Sequence, residues 1–398
     1  MRPFVVLLGL FACAAAVAQQ PLALELTLRD GRVLAAQSLV GSQSSGYEVV
    51  SGGERHQLAA SDVLFVHGAP ALPVDLPVLH LQGGEVVRAA LTGGDAGGNR
   101  VEVVSPCFGQ LNVAVDRLQA VVVGREPPER FVLPDGVDEA LFVPAAIGFD
   151  IQGGSLFQFG AEGVRFQPEG REAPRWFAVR EFVALRLRDA SSRAKPAEAE
   201  LWTRAGDHVG VDAVECRAEG VRCRLEGGAE VDVRWGDVAG LGWRAGVTWL
   251  SDLAPSAVRE SGFDGDVVHP WQRDLGVTGE PLSGGGHSHG KGLGVHSRSR
   301  LSFAVPPGAG SFWTRVSLSS SASALPVVAN VDVRVLVNDT LVFQANLTPA
   351  SAPGDTGLVA VKAGDTLTLE VDFGRGRDLG DRVDWLSPLF LPTNPRRP

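Results

Sequence analysis

The sequence has little cysteine, no surplus of basic charge and, beyond its first eighteen residues, no long apolar run. A formal net charge of −10 disfavours nucleic acid and anionic membranes as partners, because both attract basic surfaces. Without a later apolar stretch of about 20 residues, no transmembrane segment is predicted. No apolar stripe follows the helical period, whereas 49 glycines and 25 prolines supply many turns. These features predict an all-β protein.

The first eighteen residues have the organisation of a secretory signal peptide. Arg2 supplies the positive charge, and the apolar run from Phe4 to Val17 is too short to span a bilayer. Ala16-Val17-Ala18 is a cleavage site of the A-x-A type, so residues 1–18 are predicted to be removed. The mature protein is therefore expected to be secreted, periplasmic or at the cell surface.

The four cysteines are placed unevenly along the chain. Cys13 lies within the leader, in a loose lipobox that leaves lipidation open. Cys216 and Cys223 flank Ala218-Glu219-Gly220, a hairpin-turn sequence, so a cross-strand disulfide is expected in an oxidising compartment. The alternative is that both are small buried thiols. If the disulfide forms, Cys107 is left as a free, buried thiol.

The region before residue 245 repeats a short β pattern four times. Residues 19–124 hold two copies and residues 139–244 two more, with a proline-containing linker at 125–138. Each copy has four or five short strands and tight glycine turns, which is typical of a small SH3-like or Sm-like β-barrel. Units of this length bury little alone, so neighbours are expected to pack in pairs. The repeats are either an array of ligand-binding barrels or a scaffold that spaces the C-terminal module.

Alternation is clearest in the C-terminal part. Val331, Val333, Val335 and Val337 share one face, and the turn Asn338-Asp339 leads into a returning strand. Leu367, Leu369, Val371 and Phe373 alternate in the same way. Paired strands of this kind bury one face, which two facing sheets would cover, so a β-sandwich is predicted. Residues 393–398 form a short tail.

Several short motifs occur in a fixed order within this part. They are Trp249-Leu250-Ser251-Asp252-Leu253, Asp274, Gly279, Leu282, Lys291-Gly292-Leu293-Gly294-Val295-His296-Ser297 and Asp384-Trp385. As a set they resemble the NPCBM family of carbohydrate-binding modules, found on secreted glycosidases and other exported bacterial proteins. The resemblance covers about residues 247–391, and the N-terminal half is unassigned. It implies that residues 245–392 form a galactose-binding-like jelly roll that binds a glycan without catalysis.

The chain departs from the family pattern in two places. His289 stands where an aromatic residue such as Tyr is common, which affects a stacking contact at that point. Residues 319–323 are mostly serine, whereas many members carry an acidic residue there. Any ligand or ion contact made by that acid would be missing from this chain.

The candidate sugar contacts are a tryptophan and three polar residues. Sugar rings pack their C–H faces on indoles, and Trp271, which follows Pro270 in a loop-like segment, is the best stacking candidate. Trp249, Trp313 and Trp385 are expected in the core. His296 and Asp384, which the family pattern brings together, are expected to share a hydrogen bond. That pair either ties two strands together or contacts a sugar hydroxyl, and Arg298 lies close by in the sequence.

The sequence motifs give only weak support for a nucleotide, metal or catalytic site. The stretch Gly285 to Lys291 matches most of a phosphate-binding loop, but Gly292 replaces the residue that would hold magnesium. Zinc has three possible ligands without a carboxylate or cysteine partner, His287, His289 and His296. A structural calcium ion stays a minor alternative with three candidate ligands, Asp378, Asp381 and Asp384. No G-x-S-x-G elbow or glycosidase carboxylate pair stands out, so neither cofactor nor catalytic residue is predicted.

The sequence thus predicts an exported, non-enzymatic carbohydrate-binding protein: four small β repeats followed by a jelly-roll module. The alternative is a structural or protein-interaction protein of the cell envelope whose jelly roll has lost sugar binding. An exposed aromatic platform at the rim of the sandwich would favour the first interpretation. A fully buried set of tryptophans and a flat polar rim would favour the second.

Overall fold

The computed structural model describes residues 24–124, 130–188, 196–263 and 268–393. The expected signal peptide, Cys13, most of the tail and residues 125–129 of the expected linker lie outside these ranges. Among the described residues, no helix combines the length and apolarity needed to cross a bilayer. Strands account for 55% of the structure and helices for 6%, so the predicted all-β fold is confirmed.

The N-terminal region runs to Trp243 and contains four strand-rich segments. The first two segments consist of β1 Leu24–Leu28, β2 Val33–Ala36, β3 Ser38–Ser42, β4 Gly46–Ser51, β5 Glu54–Leu58 and β6 Val63–His67, then β7 Val78–Leu81, β8 Val86–Arg88, β9 Ala90–Gly94, β10 Arg100–Ser105, β11 Gly109–Ala114 and β12 Leu118–Val122. The last two consist of β13 Glu139–Pro144, β14 Phe149–Gly160, β15 Gly163–Pro168, β16 Arg175–Ala178 and β17 Ala184–Leu187, then β18 Ala199–Thr203, β19 His208–Cys216, β20 Gly220–Leu225, β21 Glu230–Arg234 and β22 Val238–Trp243.

The four segments share one arrangement of strands. In each, the first strand pairs antiparallel with the last, as in β1 with β6, β7 with β12, β13 with β17 and β18 with β22. A single 3-10 turn comes shortly before each last strand, at Ala60–Asp62, Val115–Arg117, Val179–Glu181 and Trp235–Asp237. The closure of each segment as an SH3-like or Sm-like barrel stays a prediction.

The segments are also joined to one another through their last strands. β6 pairs with β22, and β12 pairs with β17. The second segment therefore associates with its neighbour in the chain, whereas the first associates with the distant fourth. A common buried cluster includes residues of all four, such as Leu26, Val101, Phe166 and Val211. Side chains along a strand point alternately into this core and out to solvent. In β21, for example, Val231 and Val233 are buried between exposed residues.

The C-terminal region is a sandwich of two antiparallel sheets. Its strands are β23 Thr248–Trp249, β24 Ala257–Glu260, β25 Gln272–Arg273, β26 Ser283–Gly284, β27 His287–Ser288, β28 Gly292–His296, β29 Ser299–Ala304, β30 Ala309–Leu318, β31 Val331–Val337, β32 Thr340–Leu347, β33 Gly354–Asp355, β34 Val359–Ala360, β35 Thr366–Phe373 and β36 Arg382–Pro392, with a short helix α1 at Ser320–Ser323. One sheet has the order β24-β29-β35-β31-β32. The other has the order β25-β28-β36-β30-β33, with β23 on β36 and β34 on β30.

The predicted hairpin of this region is present. β31 and β32 pair antiparallel, and the two residues between them, Asn338 and Asp339, have φ angles of 48° and 61°. Positive φ at both central positions is the requirement of the tightest hairpin turns, which Asn and Asp tolerate. Leu367, Leu369 and Val371 of β35 are buried as their alternation predicts. These side chains fill the core between the two sheets.

The two regions meet through an apolar contact. Leu64 and Phe65 of β6 form one buried cluster with Trp249, Trp313 and Leu389 of the sandwich. The Phe65 and Trp249 rings meet edge to face with their centroids 6.0 Å apart. Trp249 and Trp313 are therefore buried, as expected, but they fill the junction between the regions and not the middle of the sandwich.

Candidate functional site

The candidate site lies where the sandwich ends beyond β28. The backbones of Ser261 and Arg298 exchange two hydrogen bonds of 3.0 and 2.9 Å, which hold the segment after β24 against the turn that leads into β29. Gln272 pairs with Gly294, so the residues before Gln272 lie beside the end of β28. The segments brought together here carry four ring side chains, and two of these, His269 and His296, are in direct contact. We call them the aromatic rim: Phe263, His269, Trp271 and His296.

The rings of this rim differ in exposure. Phe263 is 44% exposed and its ring lies 5.3 Å from the Phe373 ring. His269 is exposed, and His296 is partly buried with its ring centroid 4.5 Å from that of His269. Burial lowers the pKa of His296, although its Nδ1 lies 2.9 Å from the carbonyl oxygen of Ser297, a contact that opposes the shift. The imidazole is therefore neutral at neutral pH.

Trp271 is held in place more firmly than a free loop residue. Its side chain is partly buried and packs against the sandwich core. Its backbone N–H donates to Glu260 Oε1 at 2.8 Å, and the Arg273 guanidinium lies 5.9 Å from the centroid of its ring. The remaining exposed part of the indole belongs to a ring whose position is already fixed, which reduces the entropy lost when a ligand packs on it.

Polar groups line the edge of the aromatic rim. The Asp381 carboxylate accepts a 2.7 Å hydrogen bond from Ser297 Oγ, and burial raises its pKa to about 6. Asp378 accepts from the backbone N–H of Phe263 at 3.0 Å. Arg298, a sequence candidate, donates to Asp372 at 2.8 Å and covers the Phe373 ring at 4.9 Å. Asp378 and Arg298 are accessible and provide the fixed acceptor and donor that sugar hydroxyls require, whereas Asp381 is buried and holds Ser297 in place.

The expected hydrogen bond between His296 and Asp384 is not formed. In the pairing of β28 with β36, His296 lies opposite Arg382, whereas Asp384 lies opposite Gly294. His296 belongs to the aromatic rim, while Asp384 is fully buried. Asp384 is therefore not a surface contact for a sugar, and that expectation is corrected. Gly294 and His296 are two residues apart on β28, so Asp384 is displaced along the strand from His296 by about 6–7 Å.

Asp384 occupies an unusual environment for a carboxylate. Burial raises its pKa to about 8, with the negative charge of Glu280 adding to the shift. Its Oδ2 accepts a weak 3.4 Å hydrogen bond from Ser283 N–H, and its Oδ1 makes no hydrogen bond to the described residues. A buried carboxylate with so few donors is stable mainly in its protonated, neutral form.

Glu280 supplies an acidic group beside the serine-rich stretch. Its carboxylate accepts hydrogen bonds from the hydroxyls of Ser319, at 2.5 Å, of Ser321, and of Thr278, at 2.5 Å. Burial opposes ionisation here, but the three hydroxyl donors outweigh it and lower the pKa to about 2. The departure from the family pattern at residues 319–323 is thus accompanied by a carboxylate from another part of the chain.

The motif lysine is an ion-pair centre. Lys291 is 5% exposed, and its Nζ lies 2.8 Å from Asp252, 3.2 Å from Asp274 and 3.6 Å from Glu200. Burial acts against its charge, but the three carboxylates raise its pKa. Since Glu200 belongs to β18, this network connects the sandwich to the N-terminal region. Lys291 therefore has a structural position away from the aromatic rim.

The other motif residues shape the backbone and the core. A Cβ at Gly292 would collide with the carbonyl oxygen of Trp385, and one at Gly294 would collide with that of Leu275. Trp385 itself is 1% exposed and lies in the sandwich core. The sequence signature thus marks residues that allow β28 to pack closely, and only His296 and the neighbouring turn belong to the candidate site.

The three histidines named as possible zinc ligands do not come together in one metal site. His287 Nδ1 lies 3.0 Å from the carbonyl oxygen of Gly68, and His289 Nδ1 lies 3.1 Å from Ser387 Oγ. His289 also contacts the His67 ring of the N-terminal region, whereas His296 contacts His269. Across the described ranges, no group of three His, Cys, Asp or Glu side chains is placed to hold a metal ion.

Cys216 and Cys223 are free thiols, so the expected disulfide is corrected. The tight turn between Arg217 and Gly220 places Cys216 opposite Val221, and Cys223 lies opposite Val231 on β21. Both thiols are buried, and burial raises the pKa of Cys223 to about 12 and that of Cys216 further. Cys107 is also free and partly buried.

Comparison with protein families addresses the sandwich region. The sequence pattern of the NPCBM/NEW2 domain matches residues 246–391. This part of the chain is an NPCBM/NEW2 domain. The expected resemblance is therefore confirmed, with its boundaries within one residue of the expected ones. The match does not include the N-terminal region, and the comparison with curated proteins found no match for the chain.

The solved structures similar to this chain include several CBM51 modules. One is CBM51 from Clostridium perfringens GH95 in complex with methyl-galactose, at 20% identity over 36% of this chain and 99% of that one, with a TM-score of 0.32. Another is CBM51-2 with the INT domains of Clostridium perfringens ZmpB in complex with GlcNAc, at 18% identity over 47% of this chain and 42% of that one, with a TM-score of 0.32. The tandem CBM51 modules of a Streptococcus pneumoniae family 98 glycoside hydrolase match at 11% identity over 93% and 88%, also with a TM-score of 0.32.

Two residues of the aromatic rim could not be chosen from the sequence. Phe263 and His269 precede the candidate Trp271, but a single Phe and a single His in a loop have no distinctive spacing. The available signal was the clustering of ring residues around Pro270. Only the pairing of β25 with β28 shows that His269 meets His296.

Proposed function

We propose that this protein is an exported, non-catalytic carbohydrate-binding protein that binds a glycan at the aromatic rim of its NPCBM domain. The observation that carries the proposal is that the segments with Phe263, His269 and Trp271 lie against the end of β28 and the turn after it, where the His269 and His296 rings are in contact. Trp271 and His296 were selected from the sequence independently of each other. Export rests on the signal-peptide pattern of residues 1–18.

The chemistry of the aromatic rim suits a shallow sugar site. Ring faces can pack on the C–H faces of a pyranose, while Asp378 and Arg298 supply charged hydrogen-bonding groups at the edge. One or two rings and a few hydrogen bonds correspond to weak binding, since association itself costs several kcal/mol. The glycan would therefore bind with an affinity suited to repeated, multivalent targets.

The test is glycan binding by the full chain and two tryptophan variants. An array screen first identifies a bound glycan, and calorimetry then measures its affinity for the parent, Trp271→Ala and Trp176→Ala. Trp176 is a matched control because its indole is 52% exposed and lies in β16, outside the NPCBM domain. Aromatic contacts contribute about 0.5–1.5 kcal/mol, so Trp271→Ala should weaken binding up to about tenfold, and Trp176→Ala should leave it unchanged.

Two results would contradict the proposal. Parent-like affinity of Trp271→Ala would remove this ring from the site, and loss of binding in Trp176→Ala alone would move the site to the N-terminal region. Near-ultraviolet circular dichroism checks that Trp271→Ala keeps its fold, because the indole is partly buried.

One observation favours the second candidate, a structural or protein-interaction protein of the cell envelope. Three large apolar side chains of the third N-terminal segment are exposed: Ile147 at 95%, Trp176 at 52% and Phe157 at 42%. Phe157 and Trp176 lie on strands that both pair with β15, and exposed apolar side chains that form one patch are a feature of protein contacts. An array without any bound glycan, together with a parent chain that associates through this segment, would favour that function.

A further inference from the structure

A charged cleft lies next to the aromatic rim, on the outer side of the β24-β29-β35 sheet. It has a volume of about 520 Å³ and is lined by seven polar residues, Arg259, Glu260, Ser261, Arg298, Arg300, Glu370 and Asp372. That volume lies within the range of small-molecule sites, about 300–1,000 Å³. Every side chain that lines it ends in a polar or charged group, so a hydrophilic ligand suits it.

The cleft and the aromatic rim are parts of one surface. Glu260 lines the cleft and accepts the backbone N–H of Trp271 at 2.8 Å. Ser261 and Arg298 also line the cleft, and their mutual backbone hydrogen bonds position the segment that carries Phe263. A ligand that packs on the aromatic rim can therefore extend into the cleft.

Most charges in the cleft already have partners. Arg298 pairs with Asp372 at 2.8 Å, and Arg300 pairs with Glu370 at 3.2 Å and with Asp339 at 2.7 Å. Arg334, next to the cleft, pairs with Glu370 at 2.7 Å. The carboxylates of Glu370 and Asp372 are thus occupied by guanidinium groups of the neighbouring strands.

Arg259 differs from these arginines. Its side chain is exposed and makes no hydrogen bond or ion pair to any residue in the described part of the chain. In the pairing of β24 with β29 it lies directly opposite Arg300, and like charges in that position destabilise a strand pair. The fold therefore gains nothing from this charge, which remains available to a ligand.

We propose that the glycan bound at the aromatic rim carries a carboxylate, as hexuronic and sialic acids do, and that this group binds to Arg259 in the charged cleft. The guanidinium group matches a carboxylate through two parallel N–H···O bonds, and such charge-assisted bonds are stronger than neutral ones. The inference rests on the proposed function and adds the class of sugar. It also gives the cleft a role that the neutral rings of the aromatic rim cannot perform.

The test compares acidic and neutral members of matched sugar pairs on the full chain. The probes are trigalacturonic acid with its methyl ester, and sialyllactose with lactose, measured by calorimetry at low ionic strength, where screening is weak. The parent should bind the acidic member of at least one pair about three- to tenfold more tightly. Arg259→Gln should remove this preference and leave the affinity for the neutral member unchanged.

The controls separate this inference from the proposed function. Arg224→Gln is the matched variant, because Arg224 is also exposed on a strand and has no ion pair in the described part of the chain, but lies in β20 of the N-terminal region. It should keep the preference for the acid. Equal affinities within both pairs, no binding of either acid, or an acid preference that survives Arg259→Gln would overturn the role of Arg259. Neutral glycans bound through Trp271 would leave the proposed function intact in all three cases.

Discussion

At the scale of single residues, Asp384 has the clearest consequence. Its carboxylate is fully buried with a pKa raised to about 8, whereas an aspartate in an unfolded chain titrates near 3.9. The folded state therefore keeps a proton that the unfolded state loses. Its contribution to stability is complete below about pH 4 and is lost as the pH rises through 8, at roughly 1.4 kcal/mol per pH unit.

Asp384→Asn should remove this pH dependence. The amide has the shape of the protonated acid and does not ionise, so the free energy of unfolding of the variant relative to the parent should increase steadily from pH 5 to pH 8. Urea titrations of both proteins at several pH values give this difference, in which the contributions of all other groups cancel. A constant difference over that range would mean that Asp384 is ionised in the folded protein.

The residues named from the sequence separate into two groups. Trp271, His296 and Arg298 lie in exposed or partly exposed positions and stay candidates for a sugar contact. The hydrogen bond of His296 with Asp384 could not be predicted correctly. It depends on which residues face each other across β28 and β36, and register is set by the packing of the whole sheet.

At the scale of secondary-structure elements, the glycine-rich stretch before β28 matters most. Gly290 lies against the indole of Trp202 in β18, and a Cβ at this position would collide with that ring. The requirement is one of space, since its φ angle is not positive. The sequence reveals only a cluster of glycines, which also resembles a phosphate-binding loop, and the contact with β18 explains why this one cannot carry a side chain.

Gly290→Ala should destabilise the protein by about 1–3 kcal/mol, the usual cost of forcing extra atoms into a packed region. Gly236→Ala is the matched control, because its Cβ would meet no atom within 4 Å and its φ is not positive. Chemical denaturation monitored by tryptophan fluorescence measures both. If the two variants were equally stable, the close approach of β18 and the glycine-rich stretch would not exist in solution.

The strand hairpins were predictable to different degrees. The β31–β32 hairpin followed from four alternating valines and an Asn-Asp turn, because both signals are local. The disulfide expectation used the same kind of local signal at Ala218 to Gly220, but the turn closes between Arg217 and Gly220 and pairs Cys216 with Val221. Cys216 and Cys223 would face each other only across a turn two residues longer.

At the scale of the whole molecule, histidines lie in the contact between the two regions. The His67 and His289 rings have their centroids 4.3 Å apart, and both side chains are buried. Burial lowers the pKa of His289 to about 3 and that of His67 well below its usual value, with the charges of Arg315 and His287 acting in the same direction. Both imidazoles are therefore neutral in the folded protein.

Acid should destabilise this contact. The unfolded histidines titrate near 6.5, so their contribution to stability is complete above that pH and is lost as the pH falls toward 3. His289→Gln should reduce the loss of melting temperature between pH 7 and pH 5, measured by calorimetry on the parent and variant side by side. An identical loss in both proteins would assign the acid sensitivity to other groups, with the carboxylates first among them.

The arrangement of the N-terminal segments was the least predictable part of the fold. The sequence shows four similar stretches, and the spacing favours contact between neighbours. The pairing of the first segment with the fourth through β6 and β22 joins residues far apart in the chain. Such long-range pairing follows from the shapes of complete segments, which periodicity does not describe.

The junction between the NPCBM domain and the N-terminal region fixes the orientation of the two regions relative to each other. Phe65, Trp249 and Trp313 close an apolar seam, while Glu25 pairs with Arg315 at 2.5 Å and Glu200 with Lys291 at 3.6 Å across the same boundary. When a binding module is joined by a flexible linker, the length of the linker sets the distance that the module can reach. Here the apolar seam holds the two regions together directly. If the NPCBM domain binds a polysaccharide, the N-terminal segments are held at one fixed angle to the polymer. A second molecule, and not a longer linker, would then be needed to contact a more distant part of that polymer.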